Sequence, residues 1–264
     1  MNMMLALSRA GFRRFATYRQ ATLASCVTNT VFGCMRTFVL LAVAGSAGVA
    51  AGYTGPQLST YVWIGQGLIG VVALWGWTEL SERVRTGEVA ADLLRPVNPV
   101  WTYLGIDLGR AAFALLTRMA VPIAVGALFF PFYWPQRVWT YPLFAVSVVL
   151  AVLVCFGLRY MLNATAFWLL DVRGVLMLWA IASGVGSGLY FPLGFMPEPI
   201  AFFLQYATPF PSILQMPADV GVELGGVADQ LGRVAVQALW AAACLGGAFW
   251  VQSRATRKLV IQGG

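Results

Sequence analysis

Arginines inside apolar stretches are the first candidates for chemistry in this sequence. Arg36, Arg118 and Arg159 each lie within such a stretch. An arginine at the centre of a bilayer costs about 2.5–3.5 kcal/mol on insertion scales, so these side chains reach the headgroups, pair with acids or line a wet path. We expect Arg36 and Arg159 to face a conduit or a contact between subunits. The alternative is contact with backbone carbonyls or with acids of a partner chain.

Two further polar pairs have helical spacing. Asp107 and Arg110 are three residues apart, so they share a helix face and partly neutralise each other, and we interpret them as structural. Asn163 lies four residues after Arg159 and faces the same way.

Enzyme chemistry and metal binding find little support in these residues. The chain has no histidine, which is the usual general base for a serine such as those in Ser183–Gly188. The run Gly65–Gly70 matches G-x-G-x-x-G but lies in an apolar stretch, and no phosphate-binding loop ends at Lys258, the only lysine. The four cysteines also lie in apolar stretches and form no metal-binding spacing: Cys26, Cys34, Cys155 and Cys244. We therefore expect no metal, cofactor or catalytic residue in this chain.

Six apolar stretches are each long enough to cross a hydrocarbon core of about 30 Å. Twelve basic residues fall on alternate joints between them, and the opposite joints hold Arg137 as their one basic residue. Basic residues near a span stay in the cytoplasm, so both termini are predicted to be cytoplasmic. The predicted spans are Ala21–Gly45, Leu58–Thr78, Trp101–Phe130, Tyr141–Leu170, Val175–Leu193 and Gln230–Val251.

Composition supports an all-α membrane protein with six transmembrane helices. The chain is 59% hydrophobic and 10% charged, with a mean hydropathy of +0.76. Its net charge of +7 is spread over several joints, which is typical of loops facing anionic lipid and does not indicate nucleic-acid binding. Residues 1–264 are predicted to form a single transmembrane domain, with no cleaved signal peptide and no room for a soluble catalytic domain.

The joint Glu79–Pro99 stands out among the cytoplasmic ones. Gly87 precedes Glu88–Arg95, where Val89, Leu93 and Leu94 can share one face, and Pro96 ends the stretch. This pattern predicts a short amphipathic helix within residues 82–96 at the cytoplasmic surface. An ordinary interfacial hairpin with solvated charges remains the alternative.

Broken apolar sequence follows the fifth predicted span. Six of the thirteen prolines lie between Pro192 and Pro217 and interrupt runs too short to span. Because lipid cannot satisfy a broken backbone, we interpret residues 192–218 as two short helices that enter the outer leaflet and return. A flexible external loop is the alternative, which the many aromatic residues disfavour.

The first twenty residues combine four arginines with Leu7, Phe12, Phe15 and Tyr18. This composition suits a helix along the inner membrane interface, residues 1–20, and a topology anchor on anionic lipid explains it equally well.

Two sequence blocks resemble one known family. R-T-G-E-V-A-A-D-L-L-R-P-V-N-P, residues 85–99, resembles the gate-loop signature of the six-helix permeases of type-2 ABC exporters, the daunorubicin-type efflux group. S-G-L-Y-F-P-L-G-F-M-P, residues 187–197, with the later A-T-P-F and M-P, is similar to the broken segment after the fifth span of that family. The blocks lie about a hundred residues apart in the expected order.

The resemblance implies half of a conduit driven by a separate cytoplasmic ATPase dimer, which carries the ATP and Mg. By resemblance, the N-terminal helix helps to contact the ATPase, and the short helix within residues 82–96 is the coupling helix. A push on the coupling helix tilts the second and third spans. The 192–218 segment caps the outer end of the conduit, and the direction of transport is export. A second permease chain completes the conduit, a heterodimer being favoured over a homodimer, in a bacterial plasma membrane. The residues implied are Arg85, Glu88, Asp92, Leu93, Leu94, Arg95 and Pro96 for coupling, Arg13 and Arg14 for ATPase contact or the inner interface, and Pro192, Pro197, Pro199, Pro209 and Pro211 for the outer segment.

Two other classes of protein remain open. A secondary transporter driven by an ion gradient is the main competitor, although it typically needs carboxylates near the membrane midplane and inverted repeats. A membrane assembly protein without transport fits the hydropathy but leaves the gate-loop block unexplained.

Overall fold

The computed structural model describes residues 3–47, 51–94, 96–169 and 171–262, and within these ranges the chain is helical with no strand. The all-α prediction is confirmed. The helices are α1 Met3–Ala16, α2 Arg19–Ala47, α3 Gly55–Val72, α4 Glu79–Thr86, α5 Val89–Leu93, α6 Pro99–Ala114, α7 Ala120–Phe129, α8 Thr140–Ala164, α9 Arg173–Gly186, α10 Glu198–Ala207, α11 Gln215–Gly221 and α12 Val227–Gln262. A π-helical turn, Leu115–Met119, joins α6 to α7, and 3-10 turns lie at Thr165–Phe167, Leu193–Phe195 and Phe210–Ser212.

Four stretches in the described ranges are long and apolar enough to cross a membrane. They coincide with the first, third, fourth and sixth predicted spans, which makes this a multi-pass membrane protein by length and composition. Leu170, the predicted end of the fourth span, lies outside the described residues. The four stretches are Arg19–Gly45, Pro99–Phe129, Thr140–Phe167 and Val227–Lys258.

The second and fifth predicted spans end earlier than expected. After α3, Ala73 takes a left-handed conformation with φ 48°, and Gly76 follows with φ 84°, so the chain turns before Thr78. After α9, Gly188 has φ 75° and the helix does not continue to Leu193. The predicted ends were wrong because both turns are built from residues as apolar as the helices before them. At 1.5 Å per residue, the 14 residues of α9 extend about 21 Å, less than a full hydrocarbon core.

The N-terminal helix α1 packs directly against α6. A Cβ atom on Gly109 would lie 1.8 Å from the Ser8 carbonyl oxygen, and one on Gly11 would lie 2.2 Å from that of Ile106. Side chains other than hydrogen at these positions would push the two backbones apart. The helix predicted within residues 1–20 therefore exists, and α6 covers one side of it.

Helix α8 is the most buried of the four long apolar stretches. In its most apolar 18-residue window 44% of residues are buried, compared with 22–28% for the other three long stretches. One apolar cluster joins α3, α8 and α11 through residues such as Leu68, Val152 and Ala218. A second cluster joins α4 and α5 to α6 and α8 through Leu80, Val89, Tyr103, Phe156 and Tyr160.

Candidate functional site: the segment between α3 and α6

The segment expected to be one helix within residues 82–96 forms two. Gly87, with φ 79°, ends α4, and α5 covers only Val89–Leu93. The difference follows from the left-handed glycine, which interrupts the helical hydrogen bonds. Asn98 then caps α6 by accepting a hydrogen bond from the Val100 N–H at 2.9 Å. Arg95 lies outside the described residues.

A cluster of charges fastens α5 to α4. Arg83 donates from Nε to Asp92 Oδ2 at 2.7 Å and from Nη2 to Oδ1 at 3.0 Å, and its Nη1 reaches Glu88 Oε2 at 3.2 Å. Tyr103 of α6 donates to the same Asp92 oxygen at 3.3 Å. The hydrogen bond to Asp92 raises the pKa of Arg83. Asp92, predicted to couple to a partner, is therefore engaged within the chain.

The apolar residues of the segment divide between core and surface. Val89 is 2% exposed, Leu93 is half-buried, and Leu94 is 87% exposed. The expectation that these three share one face is wrong for Leu94, because α5 ends at Leu93 and the chain turns there. Arg85 and Pro96 are also exposed. Leu94, Arg85 and Pro96 form what we call the tip of the segment.

The N-terminal helix meets this segment through an ion pair. Arg14 Nη1 lies 3.1 Å from both carboxylate oxygens of Glu79 at the start of α4. The two side chains are 50% and 36% exposed, so solvent screens the pair. Arg13 is exposed beside it. The structure thus brings two of the elements predicted to contact a partner to the same end of the bundle.

A buried ion triad lies below this end. Asp107 accepts from Arg110 Nε at 2.7 Å and from Arg159 Nη2 at 2.9 Å, and none of the three side chains is more than 7% exposed. Arg110 also donates to the carbonyls of Gly70 at 2.9 Å and Val71 at 2.8 Å. These carbonyls belong to the last turn of α3, which has no further helical N–H to bind. The triad therefore ties α3, α6 and α8 together.

The triad gives Arg159 an acidic partner in its own chain, and a role for Arg159 at a conduit remains a prediction. Its side chain is 3% exposed and paired with an acid of its own chain, so it does not lie on a surface that a second chain could reach. The sequence could not show this because Asp107 is 52 residues away. The structural interpretation of Asp107 and Arg110 agrees with the observed contact.

The contacts of Arg36 differ from those of Arg159. Its Nε and Nη1 atoms are buried and have no hydrogen-bond partner among the described residues, and the side chain lies near Tyr61 and Tyr190. Arg118, in the π-helical turn, has a buried Nε in the same condition. A role for Arg36 at a conduit or subunit contact remains a prediction.

The proline-rich segment contains two short helices, α10 and α11, as the sequence predicts. Pro197 precedes α10 and Pro199 lies in its first turn, where a missing N–H costs no helical bond. Pro209 precedes the 3-10 turn before α11 and Pro211 lies within it, and Pro192 is buried. Every residue of α11 is buried, whereas α10 has none buried. Entry into a leaflet remains a prediction.

Polar side chains hold α11 in the core. Gln215 Nε2 donates to Asp219 Oδ1 at 3.0 Å and to Tyr53 Oη at 2.9 Å, while Tyr53 donates to the same carboxylate. The Tyr61 hydroxyl lies 2.7 Å from both the Gly188 carbonyl oxygen and Gln215 Oε1. Sequence reasoning missed these residues. The available signal was the presence of Tyr53, Tyr61 and Gln215 in otherwise apolar runs.

Glu223, two residues after α11, forms hydrogen bonds with residues just before α8 and at its start. Its carboxylate accepts hydrogen bonds from Thr140 at 2.6 Å, Tyr133 at 2.8 Å, and the N–H groups of Arg137 at 3.0 Å and Gln136 at 3.1 Å. Burial opposes ionisation, but these donors outweigh it and lower the pKa of Glu223. The pKa of Tyr133 is raised to about 12 by burial and by its bond to that carboxylate.

Comparison with known families decides what these features belong to. A family model described as "ABC-2 family transporter protein" matches residues 31–263. The chain belongs to the ABC-2 transporter family. The resemblance seen in the two sequence blocks is confirmed, and this ABC-2 protein is a membrane transport component with an ABC permease role. No curated protein matches the sequence.

Proposed function

We propose that this ABC-2 protein is the permease subunit of an ATP-driven exporter and that a separate ATPase binds the tip of the segment between α3 and α6. In this proposal the chain crosses the membrane six times with both termini in the cytoplasm of a bacterial cell. ATP and Mg are held by the ATPase dimer, and a second permease chain completes the conduit, with a heterodimer favoured.

The observation that carries the proposal is an exposed apolar side chain, Leu94, at the end of a segment that hydrogen bonds hold in place. Leu94 is 87% exposed, while the helix before it is fastened by Asp92 to Arg83 and Tyr103. These contacts order the segment before the partner binds, so binding costs less conformational entropy. An ordered segment also moves as a unit when it is pushed, and so transmits force. The exposed cations Arg13 and Arg85 at the same end add a surface suited to acidic groups of a partner.

The buried acids favour ATP over an ion gradient as the energy source. An ion-driven transporter needs a carboxylate that binds and releases its ion. In the described part of the chain, Asp107 is held by two arginines, and Asp219 lies 3.5 Å from Arg233 Nε and accepts from Tyr53 and Gln215. Such pairing keeps both carboxylates occupied, so a secondary transporter is the weaker alternative.

Co-purification tests the partner. We expect an ATPase to purify with the wild-type chain. Much less of that ATPase should purify with Leu94→Asp, because a charge replaces the exposed apolar side chain. Val138→Asp is the matched control, since Val138 is 84% exposed in the loop between α7 and α8. Equal ATPase recovery with both variants would contradict the docking surface.

Labelling tests the orientation. A cysteine at position 138 should react with a membrane-impermeant maleimide in intact cells, and one at position 94 should react only after the membrane is opened. The reverse pattern would refute the proposed topology.

A further inference from the structure

The turn between α3 and α4 is attached to α8 by a single fully buried amide. Asn163 Nδ2 donates to the Trp77 carbonyl at 2.9 Å, and Asn163 Oδ1 accepts from the Ser81 N–H at 3.4 Å. The Asn163 side chain is 0% exposed. One side chain of α8 therefore binds both Trp77, two residues before α4, and the first turn of α4.

The ring of Trp77 is held by the same face of α8. Arg159, one turn before Asn163, places its guanidinium 5.5 Å from the centre of the Trp77 ring. Tyr160 stacks on that ring at a centroid distance of 6.4 Å and an interplanar angle of 29°. Both the backbone and the side chain of Trp77 therefore contact α8.

The neighbouring joints are fastened to other helices. Arg110 of α6 holds the last carbonyls of α3. On the other side, Trp179 of α9 donates to the Leu74 carbonyl at 2.8 Å, and a cavity of about 70 Å³ separates α9 from Trp77 and Asn163. The six residues 73–78 therefore connect the end of α3, which is bound to α6, with the start of α4, which is bound to α8. The cavity lies beside them.

We propose that Asn163 is the positioning residue through which a push on α4 passes into α8, the most buried of the four long apolar stretches. The proposal rests on the proposed function, since the push comes from the ATPase. The stroke then enters the bundle through the fourth span, whereas the resemblance implied the second and third. The contacts of Trp77 and Ser81 with Asn163 persist through the cycle, and the cavity beside α9 receives the movement.

The first experiment compares two variants of α8 in the purified complex with its ATPase. Asn163→Leu removes the amide contacts, and Ser147→Ala is the matched control, because it removes a buried hydrogen bond from the same helix to Gln237 of α12 at 2.6 Å. Nitroxides at the exposed positions Ala112 and Val149, introduced after the four cysteines are replaced by alanine, report the distance between α6 and α8.

We expect ADP–vanadate trapping to change this distance in the parent and in Ser147→Ala. In Asn163→Leu the population of the trapped distance should fall roughly fivefold, the effect of losing one buried hydrogen-bonded contact between coupled elements. ATP hydrolysis and ATPase co-purification should persist. Asn163→Leu behaving like Ser147→Ala would overturn the proposal, whereas failure of any ATPase to co-purify would refute the proposed function itself.

A second variant keeps the test decisive if Asn163→Leu folds poorly. Replacing Ser81 and Asn163 by cysteine in the same background substitutes a covalent bond for the amide contact. When reduced, this variant should show the loss, and oxidation should restore the nucleotide-dependent distance change. If oxidation abolishes the change instead, the two residues must separate during the cycle and the proposal is wrong.

Discussion

The two segments that interrupt the long helices are held in different ways. The segment 73–94 is fastened at separate points, some of them buried, such as Trp77 with Asn163, and others partly exposed, such as Arg83 with Asp92 and Arg14 with Glu79. In the segment 187–223, residues 211–223 are all buried and bound by a continuous network around Gln215.

The difference concerns which segment can move as a unit. A segment with few contacts and exposed bonds opens or shifts at low cost, whereas a fully buried network must break many bonds together. The first arrangement suits an element that receives force, and the second suits a fixed wall against which helices move. Three predictions test this comparison, from the largest expected effect to the smallest.

Removing the acid of the triad should have the largest effect. Asp107→Asn leaves Arg110 and Arg159 buried without their shared anion, which should lower the free energy of unfolding by about 3–5 kcal/mol. Thermal unfolding followed by size-exclusion chromatography in detergent measures this. Asp229→Asn, an exposed residue whose carboxylate accepts from the Gly226 N–H, serves as the control and should change little. Equal unfolding temperatures for both variants would show that the triad does not hold the base of the segment.

Glu223→Gln should have an intermediate effect that depends on pH. The charged carboxylate accepts four hydrogen bonds, so its loss should cost about 1.5–3 kcal/mol near neutral pH. Because the folded pKa lies below the ordinary value of 4.5, this stability is fully present above pH 4.5 and is lost as the pH falls from there through the lower, folded pKa.

Unfolding curves of wild type and Glu223→Gln at pH 7 and pH 4 give the measurement. The difference between the two proteins should be largest at pH 7 and narrow at pH 4. A difference that grows on acidification would contradict the assignment of a stabilising charged form.

Asp92→Asn should have the smallest effect on stability. Its pair with Arg83 is partly exposed, so the global change should stay within about 1 kcal/mol. Amide hydrogen exchange in residues 89–93 should nevertheless accelerate, because α5 loses its attachment to α4. If exchange there is unchanged, or if global stability falls as far as in Asp107→Asn, the two segments do not differ as described.

Particular residues show how far the sequence reaches. The prolines between Pro192 and Pro217 predicted two short helices in the second segment, because they interrupt apolar runs that are too short to span a membrane. The same approach placed the end of the second span too late, because the left-handed Ala73 redirects the chain without changing its apolar composition. Leu94 was misplaced because α5 ends at Leu93.

The sequence by itself determined the all-helical membrane class, the four long spans and the family, because apolar length and local motifs are properties of contiguous residues. Only the tertiary structure decided that Arg159 binds Asp107 and that Asn163 binds the turn before α4. Helical periodicity gives the face of one helix at a time. The partner of a buried charge depends on how separate helices pack, and that information is spread over residues distant in the chain.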